Sequence, residues 1–231
     1  MIDSVNNKKI KEYAKLKQKK YRKQSNKFLV EGYNIVEEAL KANCLLEVMT
    51  TETYDFDNVT IVSEDVIRKL STTETPQPII GVCIQKDPNF IPDKILALDG
   101  INDPGNLGTL IRSAVAFGFN RILLSSDTVD IFNPKVIRAT QGAIFKISYE
   151  IGDLIELIRN YPNYKVITTS LNVRHSYTKS DKQILVLGNE SNGVSDELLA
   201  IADSNYLVHT DSVESLNVAV AGSIIMNNIR V

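Results

Sequence analysis

Along this chain of 231 residues the apolar positions change period several times. Short apolar runs at FLVEG (28–32), LLEVMT (45–50), VTIV (59–62) and IIGVCI (79–84) predict strands. Between them, Ile35, Val36, Ala39 and Leu40 of YNIVEEALKA (33–42) recur at helical spacing and should face a core, and SEDVIRKL (63–70) reads as a helix that Ser63 can cap. These elements make a small α/β unit. The stretch QKDPNFIPDK (85–94), with two prolines and four charges, reads as a linker. Beyond it strands and helices alternate: ILALDG (95–100), a helix at 106–117, RILLS (121–125), a helix from Asn133, IFKIS (144–148), a helix at 151–160, KVITTS (165–170) and ILVLGNE (184–190). Such alternation predicts a mostly parallel sheet with helices on both faces, whose ligands sit beyond the C-terminal ends of the strands.

Composition narrows the class without changing this picture. With 43% hydrophobic and 23% charged residues, the chain can build real cores, and no apolar run approaches the roughly 20 residues that span a bilayer. The N-terminus lacks the apolar stretch of a signal peptide, so the expected location is the cytoplasm, with no membrane contact. Cys44 and Cys83 lie in apolar surroundings far apart in sequence and read as buried thiols. With only His175 and His209 besides, no metal site is expected.

Charge does add something. Residues 1–27 carry ten Lys or Arg against Asp3 and Glu12, although the whole chain has a net charge of −2. Such an arm attracts a polyanion, and Tyr13 and Tyr21 lie among the cations where they could stack on bases. Lys8, Lys9, Lys15, Lys19, Lys20, Arg22 and Lys23 are therefore candidate RNA contacts. A solvated helix that only aids solubility is the plainer reading.

Three strand-end loops carry the unusual polar residues. DPGNLGTLIRSA (103–114) runs from a turn into a helix, with Asn106 at the expected cap and Arg112 six residues on. LVLGNESNGVSDEL (185–198) places Asn189 and Glu190 directly after an apolar strand and Ser195 as a cap, and VHTDSVESLNVAVAGSIIMNNI (208–229) opens its helix with Ser215 and Asn217. Taken alone, Asn106, Ser215 and Asn217 can be ordinary helix caps and Arg112 a solvated surface charge. Three such loops at one edge of an apolar sheet favour a binding site, and Glu190 needs a partner such as Arg112 or loop amides.

Together DPGNLGTLIRSA, LVLGNESNGVS and ESLNVAVAGS resemble, in order, the three motifs of the SpoU or TrmH-like branch of the SPOUT RNA ribose 2′-O-methyltransferases. FLVEGYNIVEEAL resembles the opening of the L30e-like substrate-binding domain that often precedes that catalytic domain. Beyond the basic arm at 1–27, the resemblance implies an L30e-like domain at 28–90 and a SPOUT methyltransferase domain at 91–231 with a deep trefoil knot. It also implies a homodimer and S-adenosylmethionine bound at Leu187, Gly188, Leu207, Val208, His209 and Leu216. No GxGxxG loop is present, which agrees with cofactor binding by backbone groups. Asn106, Arg112, Glu190, Ser215 and Asn217 match the positions assigned to catalysis and RNA.

The implied reaction is transfer of a methyl group to a ribose hydroxyl of ribosomal or transfer RNA, which needs in-line placement and loss of a proton. Arg112 can grip a phosphate bidentately and place the adjacent ribose; the family proposal also gives it the proton. Asn106 and Glu190 would orient it, while Ser215 and Asn217 shape the site. Leu207, Val208 and His209 stand where many relatives carry Ile-Pro-Met. A non-catalytic dimeric RNA-binding protein is the alternative. In the apolar last helix, Ala219, Gly222 and Ser223 would allow a second copy's helix to approach closely.

Overall fold

The apolar runs KILAL, RILLS and QILVL are buried almost throughout, as strands covered on both faces require. The computed structural model describes residues 1–88, 92–170, 177–213 and 215–230, so part of the expected linker at 85–94 lies outside the described residues. The chain divides into two compact units, residues 1–86 with 130–145 and residues 87–129 with 146–231. Segment 130–145 thus packs in the first unit, where the sequence pattern has it inside the second domain.

The first unit runs α1 (Lys8–Ala14), a 3₁₀ turn (Lys15–Lys17), α2 (Lys19–Ser25), β1 (Lys27–Glu31), α3 (Tyr33–Lys41), β2 (Leu45–Thr50), β3 (Val59–Ile61), α4 (Glu64–Leu70) and β4 (Ile79–Ile84). Its sheet has the order β1-β4-β2-β3, with β4 antiparallel to both β1 and β2, and β2 parallel to β3. Gly81 leaves room for its neighbours, since a Cβ there would lie 2.8 Å from Val30 Cγ2 and 2.9 Å from Leu45 Cδ1 and force those side chains to shift. Ile35, Val36 and Ala39 of α3 are buried, but Leu40 faces outward. Ser63 holds the N-cap position of α4 without capping it; its hydroxyl donates to the Asp3 carbonyl.

The basic arm is part of this unit. Ile10 packs fully buried with Met49, Val66 and Ile80, Leu16 is also buried, and Ile2 forms a parallel bridge to Val62. Two of the expected RNA contacts are committed to the fold. Lys9 pairs with the buried Glu47, which also accepts from Tyr13 Oη at 2.9 Å and Thr60 Oγ1 at 2.6 Å. Burial and that bond push the Tyr13 phenol up, and the half-buried side chain packs against the cluster around Ile10. Arg22 is 4% exposed and donates to the Leu16 carbonyl and to Asp130. Lys8, Lys11, Lys15, Lys19, Lys20 and Lys23 remain exposed.

The second unit contains β5 (Lys94–Leu98), α5 (Pro104–Phe117) and β6 (Arg121–Ser125). After α6 (Pro134–Thr140), which belongs to the first unit, come β7 (Ser148–Gly152), α7 (Leu154–Arg159), β8 (Lys165–Thr168), β9 (Gln183–Leu187), α8 (Asp196–Ala200), β10 (Ser204–Asn205) and α9 (Val218–Ile229). Its six strands are all parallel in the order β10-β8-β9-β5-β6-β7. One strand was misplaced by the sequence pattern: residues 143–146 form a 3₁₀ turn, and the strand follows at 148–152.

Alternate strand residues serve opposite faces. Ile95, Ala97, Leu123, Ile184 and Val186 meet α7 and α8 through Leu154, Ile158 and Leu198. On the other face α9 lies against α5 and β9. Gly222 makes that approach possible, since a Cβ there would sit 2.5 Å from Leu187 Cδ1 and 2.7 Å from Leu110 Cδ2. Ser113 and Ser223 meet at 2.7 Å. Ala219, Gly222 and Ser223 therefore pack α9 within its own chain, while Val220 and Ile224 are the exposed apolar residues of that helix. Among the described residues no helix is long and apolar enough to cross a membrane, and no His, Cys, Asp or Glu group could hold a metal ion.

Candidate active site

The parallel register brings the ends of β5 and β9 side by side, with Leu98 opposite Leu187, so the loops that follow them meet. Asp103, not Asn106, caps α5: its Oδ1 accepts the Asn106 N–H at 2.7 Å, and Pro104 opens the helix two residues earlier than expected. Capping by Asp103 leaves the Asn106 side chain available for other work. Asn106 Nδ2 donates to Glu190 Oε1 at 2.8 Å, and Asn106 Oδ1 accepts from Asn217 Nδ2 at 2.9 Å. Asn217 Oδ1 in turn caps α9, accepting from Ala219 N–H at 2.9 Å and Val220 N–H at 3.3 Å. The helix amides fix which way Asn217 points, Asn217 fixes Asn106, and Asn106 presents a donor to the carboxylate. This relay draws one residue from each of the three polar loops.

The loop after β9 is a tight turn. Asn189 and Gly193 exchange backbone hydrogen bonds at 2.9 Å, and Gly193 adopts φ +72°. A Cβ at Gly188 would strike the backbone of Gly193 and Val194 at 2.1–2.2 Å, so only glycine allows the closure that positions Glu190. Asn189 braces the turn: Oδ1 accepts from Ser191 and Asn192 N–H, and Nδ2 donates to the Gly100 carbonyl at 2.7 Å. Asp99 Oδ2 accepts the Ser195 N–H at 2.9 Å. Ser195 stands at the N-cap of α8 without a side-chain capping bond. The sequence pattern did not reveal the bracing roles of Asn189 and Asp99, although Asp99 directly follows β5 and Asn189 comes two residues after β9.

These loops enclose a cleft of about 630 Å³. Leu187, Gly188, Leu207, Val208, Leu216, Glu190, Ser215 and Asn217 line it as expected, joined by Thr169, Ser170 and Tyr206, which were not foreseen. Asn205 holds the Ser170 backbone by two bonds, from Ser170 N–H and to Ser170 O, at 2.8 and 2.7 Å. His209 is exposed and does not line the cleft. The described lining includes Glu190 and Asp196 and no Lys or Arg. Such a surface suits a ligand with apolar parts and a positive centre and disfavours one bearing phosphates. S-adenosylmethionine, with its sulfonium, fits this chemistry.

Arg112 sits elsewhere. It lies on the exposed side of α5, does not line this cleft, and forms no hydrogen bond or ion pair among the described residues. Six helical residues turn through about 600°, which leaves Asn106 and Arg112 about 120° apart around the axis. Glu190 is therefore engaged by Asn106, and the expected orientation of Arg112 by these two residues is not what the chain forms.

Comparison with known proteins agrees with this geometry. Residues 93–227 match the SpoU rRNA Methylase family, and residues 7–81 match the MRM3-like substrate binding domain. The chain is 37% identical over 251 aligned positions to the 23S rRNA (guanosine(2553)-2′-O)-methyltransferase RlmP of Bacillus subtilis, covering 99% of this chain and 98% of that relative. It is 31% identical to the mitochondrial rRNA methyltransferase 3 of Homo sapiens over 63% of this chain and 40% of the relative. Among solved structures, the AdoMet-bound rRNA methyltransferase from Sinorhizobium meliloti superposes with a TM-score of 0.87 at 29% identity, covering 99% of this chain and 96% of that one. With a family model spanning more than half its length and a relative aligned nearly end to end, the chain belongs to the SpoU rRNA methylase family.

Proposed function

We propose that this protein is an S-adenosylmethionine-dependent methyltransferase that modifies a ribose 2′-hydroxyl of ribosomal RNA in the cytoplasm. The observation that carries this reading is the Glu190–Asn106–Asn217 relay at a cleft whose described lining holds acids and no bases. Its RNA class rests on similarity to the rRNA methyltransferases named above. Leu187, Gly188, Leu207, Val208 and Leu216 would hold the cofactor, which supplies a methyl group on a positively charged sulfur. The deep trefoil knot implied by the sequence resemblance belongs to the same reading, as the threading that brings the loop before α9 against the loop after β9.

The relay keeps Glu190 and Asn217 at fixed positions beside the reacting groups, so little reorganisation accompanies the reaction. Ser215, which lines the cleft, supplies a hydroxyl able to donate to or accept from the ribose. Arg112 contributes a planar fork for the phosphate next to the target ribose. Because it lies outside its own chain's cleft, Arg112 acts on the cleft of a second copy. The homodimer that this requires would also cover Val220 and Ile224, the exposed apolar residues of α9. The exposed lysines of α1 and α2, with Lys15, draw the RNA in.

Calorimetric titration with S-adenosylmethionine, followed by transfer of a labelled methyl group to ribosomal RNA, tests this directly. Cofactor binding with transfer is the expected result. RNA binding without cofactor binding would instead favour a non-catalytic RNA-binding protein.

A further inference from the structure

The first unit holds a second cavity, of about 180 Å³, which methyl transfer does not use. Its floor is apolar, with Leu70, Ile80, Phe132 and Ile137 all buried. Its rim is polar and carries the exposed Thr72, Thr75, Gln77 and Arg138. Pockets for drug-sized ligands run from about 300 Å³ upward, so this one takes a single ring system.

Arg22 forms a closed part of the cavity wall. Two of its nitrogens are engaged, by the Leu16 carbonyl and by Asp130, but Nε is buried with no hydrogen-bond partner. Glu31 also lines the cavity, yet its oxygens are occupied: Ser71 Oγ and Thr73 Oγ1 donate at 2.8 Å and Gln77 N–H at 3.0 Å. That carboxylate anchors the 71–77 loop as one wall of the cavity. Lys17, which also lines it, is held by the Ser71 carbonyl.

We propose that this cavity receives one unstacked nucleotide of the RNA substrate, its base between the apolar floor residues and its phosphate toward Arg138 and Lys17. The inference rests on the reading that the chain acts on RNA. Splayed-out bases are the usual target of sequence-specific RNA recognition, and a ring-sized apolar slot beneath a cationic rim matches a nucleotide better than a phosphate alone. Lys19, Lys20 and Lys23 of α2 stand exposed on the same helix as Arg22, so a polyanion is already favoured there.

The test titrates the full-length protein with GMP, AMP, CMP and UMP, and separately with inorganic phosphate, following backbone amide chemical shifts. At least one mononucleotide should shift residues 71–77 and 132–138 and bind about tenfold more tightly than phosphate. Arg138→Glu and the slot-filling Thr75→Trp should each weaken that binding and raise the KM for RNA about tenfold, about 1.4 kcal/mol. Cofactor affinity and melting temperature should stay at the wild-type values, which separates this effect from misfolding. The proposal is overturned if no mononucleotide shifts the lining residues, if phosphate binds as tightly, or if Arg138→Glu changes neither nucleotide binding nor KM. Because the mononucleotide titration needs no methyl transfer, nucleotide binding by a protein that methylates no RNA would support the cavity while refuting the enzymatic reading.

Discussion

Asn217 donates its side-chain amide to Oδ1 of Asn106 at 2.9 Å across 111 positions of sequence, and Asn106 passes the polarity on to Glu190 at 2.8 Å. Removing the middle residue should disconnect the two ends without unfolding the sheet, since Asp103 and not Asn106 caps α5. Asn106→Ala is expected to slow methyl transfer on the order of 100-fold with cofactor affinity nearly unchanged. Asn106→Asp should be at least as damaging, because it sets a second carboxylate against Glu190. Asn217→Ala should in addition cost about 1 kcal/mol of stability through the lost α9 cap. Single-turnover rates and thermal melts of the three variants separate these effects.

The position of Arg112 outside its own cleft yields a complementation test. Arg112→Ala and Glu190→Ala should each be inactive as pure proteins. Unfolding and refolding them together allows mixed dimers, in which one of the two sites has both residues intact. Recovery of about a quarter of wild-type activity is expected if the arginine acts across the dimer. If mixing recovers nothing although mixed dimers form, each Arg112 serves its own chain.

The N-terminal cations should fall into two groups. Changing Lys8, Lys11, Lys19, Lys20 and Lys23 to Gln should flatten the salt dependence of RNA binding, by about 0.7–0.9 in the log–log slope for each phosphate that is no longer neutralised, with no change in melting temperature. Lys9→Ala should do the reverse, costing about 1.5–3 kcal/mol because Glu47 loses a charged partner while remaining buried. Deleting 1–27 outright should destabilise the first unit, since Ile10 and Leu16 go with it.

Asp203 offers a pH signature just before β10. Burial pushes its carboxyl up, but hydrogen bonds from Lys165 Nζ and Val166 N–H, with the lysine charge, hold it below the ordinary range. A depressed folded value means that its contribution is complete above the unfolded value of about pH 4 and is lost as pH falls through the folded one. Asp203→Asn should therefore melt below wild type at neutral pH, with the gap closing as pH falls through the depressed folded value. A gap that persists in acid would assign the loss to packing.

Much of this was legible in the sequence because the signals were local. Continuous apolar runs marked β5, β6 and β9 and the polar loops behind them, and the motif order pointed to the family. The failures were of three kinds. Residues 144–148 alternate like a strand, yet lie in and beside a 3₁₀ turn, where packing decides over pattern. Lys9 and Arg22 looked like solvent cations because nothing local reveals that Glu47 and Asp130 await them 38 and 108 residues away. Asn106 has the pattern of a cap, since Asp, Asn and Ser serve equally at that position, and only the fold shows that Asp103 takes it. Similarly, the small residues of α9 indicated a close helix approach but not which helix approaches.

Whether the chain methylates a ribose of ribosomal RNA is decided most directly by incubating it with labelled S-adenosylmethionine and unmethylated 23S rRNA, the class of substrate named for its Bacillus subtilis relative, then digesting with alkali. A 2′-O-methyl removes the hydroxyl that alkali needs, so label should appear in one alkali-resistant dinucleotide, and Arg112→Ala and Asn106→Ala should abolish or nearly abolish it. Label recovered in ordinary mononucleotides would place the methyl on a base, and no incorporation by a protein that binds both cofactor and RNA would contradict the enzymatic reading outright.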